Sequence, residues 1–231
     1  MNICGLQKLT LLDYPGHTAC TVFTGGCNYR CPFCHNASLV LRNNDGKGIG
    51  EEELLAFLLE RQGLLDGVVI TGGEPTIHPD LPDFIRRVRE QGFDVKLDTN
   101  GTNPEMLNKL IRDNLVQYVA MDIKNDPTRY AKTTGVNDPR LDAVRESAYV
   151  LMSGSVPYEF RTTVVRELHT PQDIMGIGVW LRGAKRYYLQ SFVDSGDLIG
   201  SGMTPYSREE LDAMLAAVKP YIPATELRGV D

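Results

Sequence analysis

Short β-branched runs alternate with amphipathic stretches along almost the whole chain, and a glycine or polar cluster closes nearly every run. The runs read as strands, and apolar residues recurring at helical spacing read as helices. Strands are expected at Thr18–Thr24, Gly67–Thr71, Asp94–Thr99, Val116–Ile123, Tyr158–Val165 and Arg186–Phe192, with a short last one at Glu226–Arg228. Helices are expected at Gly50–Arg61, Leu81–Gln91, Pro104–Asp113, Pro139–Met152, Pro171–Leu181 and Arg208–Val218. Pro82 and Pro104 suit helix starts, where a missing N–H costs little.

Six β/α units in series predict a parallel sheet, because each strand needs a crossover to return. The 231 residues are short for eight such units. The expected fold is therefore α/β, a partial (β/α)6 TIM-like barrel, with a doubly wound open sheet as the alternative. One domain is expected over 1–231, with segment 1–17 and a C-terminal helix at 207–219 as additions to the barrel. In either architecture chemistry belongs beyond the C-terminal ends of the strands. Polar or glycine clusters fall there five times, as GGCNYRCPFC, GGEPT, DTNG, MDIKND and LQSF.

A formal net charge of −6 argues against a nucleic-acid binder, which needs a basic surface to replace counterions. Arg86, Arg87 and Arg89 read as a solvated helix face. The N-terminus lacks a basic start followed by an apolar run, and no apolar stretch approaches the roughly 20 residues of a membrane span. A cytoplasmic protein is expected, with neither nucleic acid nor membrane as partner.

All five cysteines lie in the first 34 residues, at positions 4, 20, 27, 31 and 34. An odd number crowded at one end points to metal or redox chemistry rather than a disulfide framework. Cys27-x3-Cys31-x2-Cys34 sits on a loop with Gly25, Gly26 and Pro32, so three thiols can converge. Thiolates suit iron–sulfur clusters and zinc. A structural zinc site takes four protein ligands, whereas three leave one corner open for chemistry. His35 is a fourth donor, but awkwardly close to Cys34, so a zinc site or a chance spacing stays open at this point. Cys4 and Cys20 read as passive buried thiols, His17, His78 and His169 as turn or surface residues, and Trp180 as core.

The C-x3-C-x2-C spacing, with Phe33 before the last cysteine, resembles the radical S-adenosylmethionine (radical SAM) superfamily. The resemblance implies the partial barrel of that family, with a [4Fe–4S] cluster on Cys27, Cys31 and Cys34. It also implies S-adenosylmethionine chelated to the fourth iron through its amino and carboxylate groups. Thr71-Gly72-Gly73-Glu74-Pro75 is similar to the family's GGE motif, where backbone carbonyls and Glu74 accept from the cofactor ammonium. Beside it, the bland reading is a glycine turn.

Asp98-Thr99-Asn100-Gly101 and Met121-Asp122-Ile123-Lys124 resemble the DTNG and D-x-K segments of glycyl-radical-enzyme activating enzymes. The likeness implies Asp98, Thr99 and Asp122 as ligands of a monovalent cation and Lys124 as a contact of the cofactor carboxylate. Arg161 matches an arginine near the cofactor ribose, or is an ordinary ion-pair partner. In LQSF, Phe192 stands where related activators carry a histidine, so it stacks on adenine or simply packs. The loop Asn125–Asn137, with Asp126, Pro127 and Tyr130, is long enough to serve as a partner or lid element.

Over nearly its whole length the chain is similar to anaerobic ribonucleoside-triphosphate reductase activating proteins, and it has no added cysteine-rich insert. The resemblance implies that a reduced cluster cleaves S-adenosylmethionine to a 5′-deoxyadenosyl radical. That radical then takes a glycine Cα hydrogen from a partner enzyme, with reduced flavodoxin or a similar protein as electron donor. An activase of the pyruvate formate-lyase type, a radical enzyme acting on a small molecule, and a non-enzymatic zinc or electron-transfer module are the alternatives.

Overall fold

The computed structural model describes residues 1–41 and 48–230. Residues 42–47 and 231, which fall within the expected 1–231 domain, lie outside the described residues. Eight strands follow one another in sequence order in one sheet: β1 (Ile3–Thr10), β2 (Ala19–Thr24), β3 (Gly67–Gly72), β4 (Asp94–Thr99), β5 (Tyr118–Asp122), β6 (Tyr158–Val164), β7 (Tyr187–Ser191) and β8 (Thr225–Arg228). Among the helices are α1 (Ala37–Leu41), α2 (Glu51–Glu60), α3 (Leu81–Glu90), α4 (Pro104–Arg112), α5 (Tyr130–Thr134), α6 (Leu141–Ser153), α7 (Pro171–Trp180) and α8 (Arg208–Val218). The chain divides into two compact units, one of Met1–Asn28, Ser38–Thr99 and Asn103–Ala120, the other of Tyr29–Ala37, Asn100–Thr102 and Met121–Asp231.

In the first unit β2, β3 and β4 are parallel, with Ala19 opposite Gly67 and Gly67 opposite Asp94. Val22, Val68, Val69, Ile70, Val95 and Leu97 are fully buried. Such near-continuous apolar runs are what a parallel strand covered on both faces requires. Helix α3 buries Leu81, Phe84, Ile85 and Val88, and Asn103 caps α4 by accepting from the Met106 N–H at 3.2 Å. Strand β1, antiparallel to β2, was not expected within segment 1–17. Its middle residues are half-buried or exposed, so no apolar alternation announces it. The three arginines of α3 make no basic patch. Arg86 pairs with Asp83, Arg87 with Glu52 and Arg89 with Asp94.

In the second unit β6, β7 and β8 are parallel, with Phe160 opposite Tyr187 and Tyr187 opposite Thr225. Capping boxes start α7 (Thr170 with Asp173) and α8 (Ser207 with Glu210), each satisfying otherwise orphaned N–H groups. The segment read as a long loop, Asn125–Asn137, carries α5. Asn125, Tyr130, Thr133 and Thr134 are buried there. The Asn125 amide donates to Thr133 Oγ1 at 2.8 Å and to the Leu168 carbonyl at 3.0 Å. This stretch is packed through its own polar side chains. Trp180, expected in the core, is half-buried and meets the Tyr130 ring edge-on at 6.2 Å. Among the described residues no helix is long and apolar enough to cross a membrane.

Candidate active site

In the first unit the loops after β2 and β3 are laced together. Gly73 N donates to Thr24 O at 2.8 Å, and Glu74 N donates to Gly26 O at 2.8 Å. This contact explains the paired glycines. Gly72 has φ +114°, and a Cβ on Gly73 would collide with the Gly26 carbonyl. Cys27 follows directly, half-buried. Glu74, 1% exposed, accepts at Oε1 from Thr76 N (3.1 Å), Thr76 Oγ1 (2.5 Å) and Thr99 Oγ1 (2.7 Å). Its carboxylate therefore ties the ends of β3 and β4 together, a role the motif alone did not indicate. Asp98 Oδ2 accepts from Thr71 Oγ1 at 3.2 Å, and its Oδ1 pairs with the ammonium of Lys96. Lys96 is buried and was not among the expected site residues. Its signal in the sequence is a lysine between Val95 and Leu97, two positions before Asp98 and so on the same strand face.

The second unit holds the remainder of the cysteine loop. Cys34 N donates to Cys31 O at 3.0 Å, which closes a turn between the two thiol-bearing residues. The loop is anchored at both sides, by Arg30 N to Thr134 O (2.8 Å) and by Gly200 N to Pro32 O (2.7 Å). Cys31 and Phe33 are buried and Cys34 is half-buried. At the end of β5, Asp122 is gripped by two cations, Lys124 Nζ at 2.9 Å and Arg161 Nε at 2.9 Å. Burial would raise the Asp122 pKa, but the charges of Arg161 and Lys124 overcome it and hold the carboxyl well below its ordinary range. Burial likewise opposes the charge on Lys124, yet Asp122 and the sulfurs of Cys31 and Cys34 push its pKa up. A permanent ammonium therefore stands in the field of two cysteine sulfurs.

Phe192 is buried, and its ring lies 5.5 Å from that of His35. It is a packed ring, and the imidazole against it comes from the cysteine loop. His169, read as a turn or surface residue, is fully buried. Its ring meets Phe33 edge-on at 6.2 Å, and Nε2 lies 2.8 Å from the Lys124 carbonyl. The sequence-based reading failed because a lone histidine carries no local mark of burial. Cys20 is buried, as expected, and burial pushes its thiol pKa up to about 12. Cys4 is half-buried, its thiol 3.6 Å from Asn2 Oδ1.

Among the described residues no three His, Cys, Asp or Glu side chains stand gathered as a metal cage. The fit of an iron–sulfur cluster rests on donor chemistry: soft thiols on a loop pinned at both ends, with a half-buried cation in the field of two of them. That donor set suits the cluster. The Radical SAM superfamily model matches residues 21–167. The chain belongs to the radical SAM superfamily. Its cofactors are accordingly a [4Fe–4S] cluster and S-adenosylmethionine, and it is a radical SAM enzyme.

Among relatives of this radical SAM chain, the "Putative glycyl-radical enzyme activating enzyme MJ1227" of Methanocaldococcus jannaschii is 30% identical over 238 residues. That match covers 99% of this chain and 96% of the relative. The pyruvate formate-lyase-activating enzyme of Clostridium pasteurianum is 32% identical over 140 residues, 58% of this chain and 57% of its own length. Streptococcus suis SuiB bound to the precursor peptide SuiA superposes with a TM-score of 0.68 at 15% identity, covering 90% of this chain and 48% of SuiB. At that identity the likeness concerns the fold alone. The fold is α/β of the radical SAM type, consistent with the expected partial (β/α)6 barrel.

Proposed function

We propose that this protein is the activating enzyme of an anaerobic ribonucleoside-triphosphate reductase, generating a glycyl radical on that partner. Similarity to a glycyl-radical enzyme activating enzyme over nearly the full length supports the activating role, and the stretch GLQKLTLLDYPGHTACTVFTGGCNYRCPFCHN supports the choice of partner. When bound and reduced, the cluster supplies the electron that splits S-adenosylmethionine into methionine and a 5′-deoxyadenosyl radical.

The chain's own residues bind, orient and shield. Cys27, Cys31 and Cys34 hold the cluster. Gly72 and Gly73 let the cofactor ammonium approach the backbone, while Glu74, buried, ties the ends of β3 and β4 together through Thr76 and Thr99. Lys124 takes the cofactor carboxylate, and Asp122 fixes that lysine's reach. Arg161, anchored on Asp122, faces the ribose. Phe33 and Phe192 supply apolar walls. Reduced flavodoxin or a similar donor delivers the electron, and the setting is the cytoplasm.

The test is to reconstitute the protein anaerobically, reduce it, add S-adenosylmethionine and a candidate partner, and record the EPR spectrum. A glycyl radical on the ribonucleotide reductase supports the reading. A signal only on pyruvate formate-lyase would reassign the partner, as the likeness to that enzyme's activator allows. Absence of 5′-deoxyadenosine with every partner would end it.

A further inference from the structure

The oxygens expected to ligate a monovalent cation are each already engaged by the chain's own groups. In the first unit Asp98 pairs with Lys96, and Thr99 Oγ1 donates to Glu74. In the second, Asp122 lies between Lys124 and Arg161. We infer that the Lys96 ammonium takes the place of the alkali-metal ion at Asp98, so that cofactor binding in this enzyme needs no added monovalent cation. The inference rests on the proposed S-adenosylmethionine site.

The Lys96 side chain is 2% exposed and that of Asp98 is 14% exposed. An ammonium this deeply buried cannot be left unpaired, because desolvation of a lone charge is costly. Its covalent tether also keeps it beside Asp98 without the entropy of capturing a free ion. A metal ion added at the same carboxylate would sit beside a like charge in a medium of low dielectric, where repulsion is strong. Thr71 Oγ1 occupies the other carboxylate oxygen, at 3.2 Å. In the second unit two cations already face one carboxylate. Lys96 is thus a positioning residue: it holds the Asp98 carboxylate oriented at the end of β4.

Labelled S-adenosylmethionine would be titrated onto anaerobically reconstituted protein in potassium, sodium or tetramethylammonium chloride at constant ionic strength, which keeps screening equal. The wild-type dissociation constant should vary by less than about threefold across the three salts. Lys96→Met and Lys96→Gln should bind about tenfold more weakly in tetramethylammonium and recover in potassium, the size of loss expected of one charge-assisted contact. A wild-type protein that gains tenfold or more in affinity from potassium would overturn the inference. So would variants with native circular dichroism and full iron content whose affinity stays indifferent to the salt. If the variants do not fold, the wild-type series decides alone. Failure to bind S-adenosylmethionine in any salt would instead overturn the cofactor-site reading beneath it.

Discussion

His169 Nε2 lies 2.8 Å from the backbone oxygen of Lys124, while its Nδ1 lies 3.1 Å from the Val165 N–H. The carbonyl accepts a hydrogen bond from the Nε2–H, so Nδ1 is left to accept from the Val165 N–H, and the ring is neutral. One buried imidazole thereby sets the backbone of the lysine assigned to the cofactor carboxylate. Burial lowers its pKa below the ordinary 6.5, although the carbonyls of Lys124 and Val165, 2.8 and 3.3 Å from its two ring nitrogens, favour the charged ring and pull the other way. Above that value neither the folded nor the unfolded chain protonates this histidine, and its contribution to stability is complete. Below it the unfolded chain takes up a proton that the folded chain resists, so stability falls as pH drops. Urea midpoints measured from pH 8 to pH 5.5 should decline, and His169→Gln should flatten that decline. An unchanged slope in the variant would place the effect elsewhere.

Lys124→Met removes the ammonium but leaves Asp122 paired with Arg161. A charge-assisted hydrogen bond of about 1.5–3 kcal/mol corresponds to roughly 10–100-fold in affinity. S-adenosylmethionine binding should weaken by that factor while iron content stays near wild type. Loss of iron in parallel would mean that the lysine holds the loop rather than the cofactor.

Cys31→Ala should abolish cluster assembly, read as iron and sulfide content and by EPR, whereas Cys4→Ala should retain it. Cys20, with its thiol pKa near 12, is thiolate in only about one molecule in ten thousand at pH 8. Folded protein should therefore resist iodoacetamide at Cys20, as mapped by mass spectrometry, until denaturant is added.

Gly73→Ala places a Cβ against the Gly26 carbonyl and prises apart the loops after β2 and β3. Overpacking of this kind costs about 1–3 kcal/mol. The denaturation midpoint should fall accordingly, and S-adenosylmethionine binding should fall with it. Gly50→Ala, where a Cβ meets open space, should shift stability by less than about 1 kcal/mol.

Much of this molecule is legible without coordinates. The parallel strands declare themselves because Val68, Val69 and Ile70 are covered on both faces, and burial on both faces demands an unbroken apolar run. The helix starts are equally local, since Asn103, Thr170 and Ser207 cap them through neighbours only three residues away. Strand β1 escapes notice because its middle residues are partly exposed, so their side chains are free to be polar.

For the site, the amino-acid order alone determined the donor chemistry: three thiols in eight residues, a glycine pair, and carboxylates and a lysine closing successive strands. Spacing along one segment is enough for that, because the chain itself limits how far such residues can part. Tertiary structure alone decided which charges are buried and what each one faces. Lys96 and His169 look ordinary in sequence, yet one is sealed against Asp98 and the other against the Lys124 carbonyl. Burial is conferred by residues distant along the chain. His169 reaches back 45 positions to Lys124, and Asp122 is held by an arginine 39 positions away. The energy of a charge depends on that surrounding medium and on its partner, neither of which a local pattern records.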